Sequence, residues 1–144
     1  MTPPSVHVHP RLILHDVDAA ITFYVAVFDA EPSERFVDGE GRVVHAAIGI
    51  GGSTVSMATE VAAWGLSSPR SIGGSPVLVH LTLPDPDAAA ARAVALGAEM
   101  VIPLADRAYG KREGRMRDPF GHLWVLSKAL EDLDAEQIQE RLRS

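Results

Sequence analysis

Six histidines (His7, His9, His15, His45, His80 and His122) and a charged run from Lys111 to Arg117 are the residues of this chain with the most chemistry to offer. An imidazole titrates near neutral pH, so it can act as acid, base or metal ligand. A divalent ion needs about three or four protein donors in suitable geometry. The chain has no cysteine, which excludes thiolate sites and disulfides. No carboxylate stands out as an orienting partner for the histidines, so polar lining of a pocket is the expected use for them. Lys111, Arg112, Arg115 and Arg117 form a basic cluster suited to an anionic ligand. Glu113 sits among them, and alternate arginines on a strand are more often a solvated face paired with carboxylates. The second use is the one expected here.

The elements that must position these residues are legible from patterning. Residues 7–15 alternate as a half-buried strand through His7, His9, Leu12 and Leu14. Asp16 is an N-cap, and Val17, Ile21, Tyr24, Val25 and Phe28 share one face of the following helix, which Asp29 ends. A short strand over residues 32–37, the turn Asp38-Gly39-Glu40-Gly41, and strands over 42–49 and 53–59 complete a first unit. Residues 60–76 are rich in Ser, Pro and Gly, carry Trp64 and read as a linker. A strand over 77–83 opens a second unit. Its alanine-rich helix starts at Asp85 and stops at Gly97. Strands follow near 98–104, 112–118 and 122–128, with residues 106–111 as an exposed loop. Asp134 and Gln137 form a capping box for a last helix over about 134–143, whose Ile138 and Leu142 give it a thin apolar stripe.

The two units repeat one another. Asp118-Pro119-Phe120-Gly121 is a tight turn in which Pro119 fixes φ and Gly121 supplies a conformation other residues resist. Gly49-Ile50-Gly51-Gly52-Ser53 is a weaker copy, with Gly52 at the level of Gly121. Leu12 to Ala20 answers to Leu81 to Ala89 at the same offset, and Asp29-Ala30-Glu31-Pro32 answers to Gly97-Ala98-Glu99-Met100 one residue off. Two βαβββ modules, about 7–59 and 77–128, are therefore expected within a single domain over 1–144.

Composition bounds the function classes. Hydrophobic residues make up 47% and charged residues 22% of 144, an ordinary globular balance. A net charge of −6 argues against a nucleic-acid partner, which asks for a basic face. No apolar run approaches the roughly 20 residues that cross a bilayer, so no membrane partner is expected. Met1-Thr2-Pro3-Pro4 lacks a basic region followed by an apolar one, so a cytoplasmic protein is expected.

The paired strand-Asp-helix starts, Val44-His45-Ala46, Ser71 to Pro76, Tyr109-Gly110, Arg117 to Trp124 and the tail Glu131 to Gln137 give the chain a family likeness. It resembles the vicinal oxygen chelate superfamily, which includes glyoxalase I, bleomycin resistance proteins and extradiol dioxygenases, and within it the PhnB-like branch. The likeness covers nearly the whole chain. It implies an α+β fold in which two βαβββ modules curl mixed sheets around a shared cavity, commonly as a homodimer. Open strand edges also favour pairing between chains.

Enzymes of this superfamily carry metal ligands on the first and last strand of each module. The resemblance places those positions on His9, Ser56, Leu78 and Val125, of which His9 alone is a competent ligand type. The expectation is no metal and no cofactor, with the Lewis-acid chemistry of a glyoxalase lost. A glutamate common on the third strand of the family is Ala47 here, which removes a candidate acid or base. Strand parity then sorts core from pocket. Leu12, Leu14 and Trp124 fall to the core. His9, Arg11, Ile13, Thr54, Ser56, Leu78, His80, Thr82 and Val125 fall to the implied cavity, with His45 a further candidate. Trp64 and Tyr109 are loop aromatics that can stack on a planar ligand. His122 reads as structural and His7 as exposed.

Three functions compete. The favoured one is a metal-free protein of the bleomycin-resistance type that sequesters a small hydrophobic or aromatic molecule. The second is a metal-dependent lyase, isomerase or dioxygenase with a relocated site. The third is metal-free acid–base chemistry run by His9 or His80.

Overall fold

A computed structural model describes residues 5–144 of the chain, and Met1 to Pro4, on which the reading of the N-terminus falls, lie outside the described residues. The chain divides into two compact units, Met1–Ser71 and Ile72–Ser144.

The first unit runs β1 (Arg11–Leu14), α1 (Val17–Phe28), β2 (Glu31–Val37), β3 (Val43–Ile50) and β4 (Ser53–Thr59). Asp16 accepts a hydrogen bond from the Ala19 amide at 3.0 Å, which satisfies one of the free donors at the start of α1. Ala20, Phe23, Tyr24 and Val27 recur at helical spacing and are buried. The Tyr24 ring lies edge-on to Phe23 and stacks on Phe28. Asp29 ends the helix in the left-handed region at φ 56°. A residue with a short polar side chain tolerates that conformation, and glycine would carry it at less cost. The sheet order is β1-β4-β3-β2, with β1 parallel to β4 and the other pairs antiparallel.

The second unit repeats the plan with β5 (Leu78–Thr82), α3 (Pro86–Ala95), β6 (Glu99–Asp106), β7 (Lys111–Arg117) and β8 (Leu123–Ala129), in the order β5-β8-β7-β6. Asp85 caps α3 through the Ala88 amide, and Pro86 occupies the first helical turn, where its missing N–H costs nothing. Ala89, Ala90 and Ala93 are buried in α3, which packs on β6, β7 and β8. Small helix side chains leave room for large ones from the sheet. Trp124, Met116 and Leu126 are fully buried, as parity placed Trp124. α4 (Ala135–Leu142) follows, with the Asp134–Gln137 capping box formed in both directions.

The fold is thus α+β, with two four-stranded mixed sheets and helices. One expectation needs correction. The first strand starts at Arg11 and not at residue 7, because Pro10 has no N–H to give a ladder and residues 5–10 lie exposed ahead of it. The stretch 60–76 holds a 3₁₀ turn at Ala62–Trp64 and a helical turn, α2 (Pro69–Ile72). Glu60 organises it, accepting hydrogen bonds from the Ser68 amide and hydroxyl and from the Ser71 hydroxyl at 2.6 Å. Among the described residues, no helix is long and apolar enough to cross a membrane.

Candidate functional site

The Asp118 turn sets the register of the last hairpin. Its buried carboxylate accepts hydrogen bonds from the Phe120 and His122 amides and from the Trp124 indole N–H at 3.0 Å. Gly121 takes φ 92°, the left-handed conformation expected of it. With β7 and β8 locked in this register, Arg115 lies opposite Val125 and Glu113 opposite Ser127. The parallel β5–β8 pairing adds His80 beside Val125 and Thr82 beside Ser127. On the other flank β6 brings Ile102 to Arg115 and Ala105 to Glu113. Two cross-sheet rows result on the face turned away from α3: His80, Val125, Arg115, Ile102, and then Thr82, Ser127, Glu113, Ala105.

These rows frame a cavity of about 320 Å³ lined by Ile102, Arg107, Tyr109, Glu113, Arg115 and Val125. Gly114 admits β6 to the site. A Cβ there would lie 2.9 Å from the Ile102 carbonyl oxygen and 2.9 Å from the Leu104 nitrogen, at the bulge where β6 shifts register. Glu113 is the hub. Tyr109 donates its hydroxyl to Oε1 at 2.7 Å, Ser127 donates to Oε2 at 2.6 Å, and His80 Nε2 stands 3.9 Å from Oε2. Burial pushes the Glu113 carboxyl up, but the Ser127 and Tyr109 hydrogen bonds with the charges of His80 and Lys111 outweigh it, and it ionises below its ordinary range. The Tyr109 phenol is pushed up, by burial first and then by its bond to Glu113. Arg107 spends its guanidinium on the backbone carbonyls of Glu113 and Pro103, bracing the β6–β7 turn.

The basic cluster divides by strand face. Arg112 points to the helix side and pairs with Asp87 at 2.7 Å and Asp106 at 2.9 Å. Arg117 pairs with Glu99 at 3.0 Å. The carboxylates that neutralise the arginines therefore come from α3 and β6, whereas Glu113 serves the cavity. Arg115 is different again. Its Nε is buried and finds no hydrogen-bond partner among the described residues.

In the first unit the corresponding face carries a closed chain. Arg11 Nη2 donates to His45 Nδ1 at 2.8 Å, and His45 Nε2 lies 2.7 Å from Glu34 Oε2. Because a guanidinium only donates, this assigns the ring hydrogen to Nε2, which donates onward to Glu34. Phe36 stacks on the imidazole at 5.5 Å. Ser56, between Arg11 and Ala47 in the sheet, is buried and gives its hydroxyl to the Pro10 carbonyl.

The structure brings His80, Tyr109 and Val125 together in the second unit, and Arg11, His45 and Ser56 on one sheet face of the first. His9 is exposed and outside every strand, Trp64 is 65% exposed on its 3₁₀ turn, and Leu78 stands at the exposed start of β5. Glu113, Arg115, Arg107, Ser127 and Ile102 complete the cavity region; of these, sequence reasoning raised Arg115 alone, as part of a basic cluster suited to an anion, and favoured a solvated face for it. Parity along β7 was the available signal, since 113 and 115 share a face that 112 does not.

The positions that the family likeness assigns to metal ligands do not fit an ion. Leu78 and Val125 have no donor, and the Ser56 hydroxyl is committed to Pro10. Strand register sets Arg11, not His9, beside Ser56, and His80, not Leu78, beside Val125. That exchange trades the His9 imidazole for that of His80 and brings in a cation, which still falls short of a ligand set. Among the described residues no three His, Asp or Glu side chains come together to hold an ion.

Comparison with known proteins places this geometry in a family. The model of the Glyoxalase/Bleomycin resistance protein/Dioxygenase superfamily matches residues 7–126. Uncharacterized proteins of Mycobacterium bovis and Mycobacterium tuberculosis are each 40% identical over 138 residues, covering 94% of this chain and 91% and 81% of theirs. The crystal structure of TioX from Micromonospora sp. ML1 is 28% identical with a TM-score of 0.65, covering 90% of this chain and 100% of that one. The fosfomycin resistance protein FosX of Listeria monocytogenes, complexed with Mn(II) and sulfate, shares the fold at 20% identity and a TM-score of 0.68, covering 97% of this chain and 99% of that one.

Proposed function

We propose, from the premise that this chain belongs to the glyoxalase/bleomycin resistance protein/dioxygenase superfamily, that it is a metal-free protein of the bleomycin-resistance type which sequesters a small hydrophobic or aromatic molecule. The motifs Val44-His45-Ala46 and Arg117 to Trp124 favour the PhnB-like branch. The observation that carries the reading is the second unit's cavity. Its walls are apolar at Ile102 and Val125, and Arg107, Tyr109, Glu113 and Arg115 supply its polar groups, with Tyr109 fixed on Glu113. That composition suits recognition of a compact organic molecule. The reading also has the chain as a homodimer, supported by β2, an edge strand exposed along its whole length. The test is a thermal-shift screen of chelator-treated protein against aromatic antibiotics and metabolites. A binder raises the melting point by linkage and does so equally with and without added divalent metal. An empty screen, or stabilisation that appears only with metal, sinks the reading.

A second reading has one contact in its favour, His80 Nε2 at 3.9 Å from Glu113 Oε2. A carboxylate beside an imidazole can hold it ready for proton transfer without a metal. Turnover that follows a near-neutral inflection and disappears in His80→Ala would select this reading over pure sequestration.

A further inference from the structure

The cavity on the second sheet holds more positive than negative charge. Arg107 and Arg115 line it, and Glu113 is the carboxylate among its lining residues. Glu113 does not neutralise either guanidinium. Its oxygens are taken by Tyr109 and Ser127, with His80 next nearest, and among the described residues neither Arg107 nor Arg115 joins a salt bridge. Elsewhere in the same unit Arg112, Arg117 and Arg141 each have a carboxylate partner. Arg107 gives two of its donors to the carbonyls of Glu113 and Pro103. Among the described residues Arg115 has no carboxylate partner, and its buried Nε carries an unmet donor. A guanidinium left without a counter-charge is offset best by a charged acceptor.

We propose that this cavity selects an organic anion, a carboxylate carried on an apolar or aromatic body, and that Arg115 is its principal charge partner. The inference rests on the small-molecule binding reading and names its ligand class. The ligand carboxylate takes the terminal N–H groups of Arg115 in the paired geometry that a guanidinium presents. Arg107 stands beside it as a second, already braced cation. Ile102 and Val125 flank Arg115 in the same cross-sheet row and meet the body of the ligand. Glu113 repels a second negative charge placed deeper, so a monoanion is preferred to a dianion. The hydroxyls of Tyr109 and Ser127 occupy the two oxygens of Glu113, and no salt bridge joins it to Arg115 among the described residues.

The experiment uses the full chain and two probes of equal shape, 2-naphthoate and 2-naphthamide, with affinity read by calorimetry at about 50 mM and about 500 mM salt. Naphthoate is expected to bind about tenfold or more tightly than naphthamide, with the advantage shrinking at the higher salt. Arg115→Gln is expected to erase the preference, with naphthoate losing far more affinity than naphthamide. Arg115→Lys keeps the charge but not the fork and recovers part of it. If Arg115→Gln fails to fold, the probe pair and its salt dependence in the unaltered protein still decide. Equal affinity for the two probes, or a preference that survives Arg115→Gln, overturns the inference while leaving the binding reading in place. Binding of neither probe, together with an empty ligand screen, brings down both.

Discussion

The two units share one chain path and use it for different ends. Ser56 lies between Arg11 and Ala47 in the first sheet, and Val125 lies between His80 and Arg115 at the same level of the second. In the first, Arg11, His45 and Glu34 satisfy one another in a line. In the second, the carboxylate is spent on two hydroxyls, and a guanidinium is left with an unmet donor. A duplicated scaffold needs only one open face to recognise a ligand. The other is free to close its own hydrogen bonds, which steadies the fold and offers nothing to a guest.

The sharpest way to test that contrast is at the turns. Asp118→Ala strips the acceptor from three buried donors, including the Trp124 indole, and is expected to cost about 3 kcal/mol or more in urea unfolding. Asp38 plays the same part at an exposed turn of the first unit, accepting from the Glu40 and Arg42 amides. Its replacement by Ala is expected to cost clearly less, because water can take over those donors. Equal losses would mean that the turns are equivalent after all.

Gly114→Ala comes next. Its Cβ meets the β6 backbone at 2.9 Å, so the strand must shift, at about 2 kcal/mol and with loss of ligand binding. Ala46 holds the corresponding place in the first unit and already carries a Cβ. Ala46→Gly is expected to cost about 1 kcal/mol through lost burial and added backbone freedom, with the second unit's cavity untouched.

A third test uses acid. Glu113 ionises below its ordinary 4.5 in the folded chain. Its stabilising contribution is therefore complete above that value and is lost as pH falls through the lower folded-state value. Unfolding measured from about pH 7 to about pH 3 should show Glu113→Gln less stable than the unaltered chain at neutral pH, with the two curves converging in acid. A gap that stays constant would deny Glu113 this role. The smallest effect belongs to His45→Ala. It opens the first unit's partly exposed chain and is expected to cost about 1 kcal/mol or less, without changing affinity for a ligand held by Arg115.

Local pattern was enough for most of the scaffold. Asp16, Asp85 and Asp134 announced their helices, Gly97 and Gly121 their stops and turns, and the repeated strand-Asp-helix start revealed the duplication, because caps and turns depend on a few adjacent residues. Alternation along one strand likewise put Leu12, Leu14 and Trp124 in the core. The candidate site was less legible. Glu113 reads in sequence as the partner of its neighbouring arginines, yet Asp87, Asp106 and Glu99 take them, and Asp87 and Glu99 lie well apart from Arg112 and Arg117 in the chain. Which side chains face one another across a sheet is set by register, and the β6 bulge and the parallel β5–β8 pairing have no signature of their own in the residues they join. Sequence by itself determined the elements and their repetition, and tertiary structure alone decided which charges are answered and which one waits.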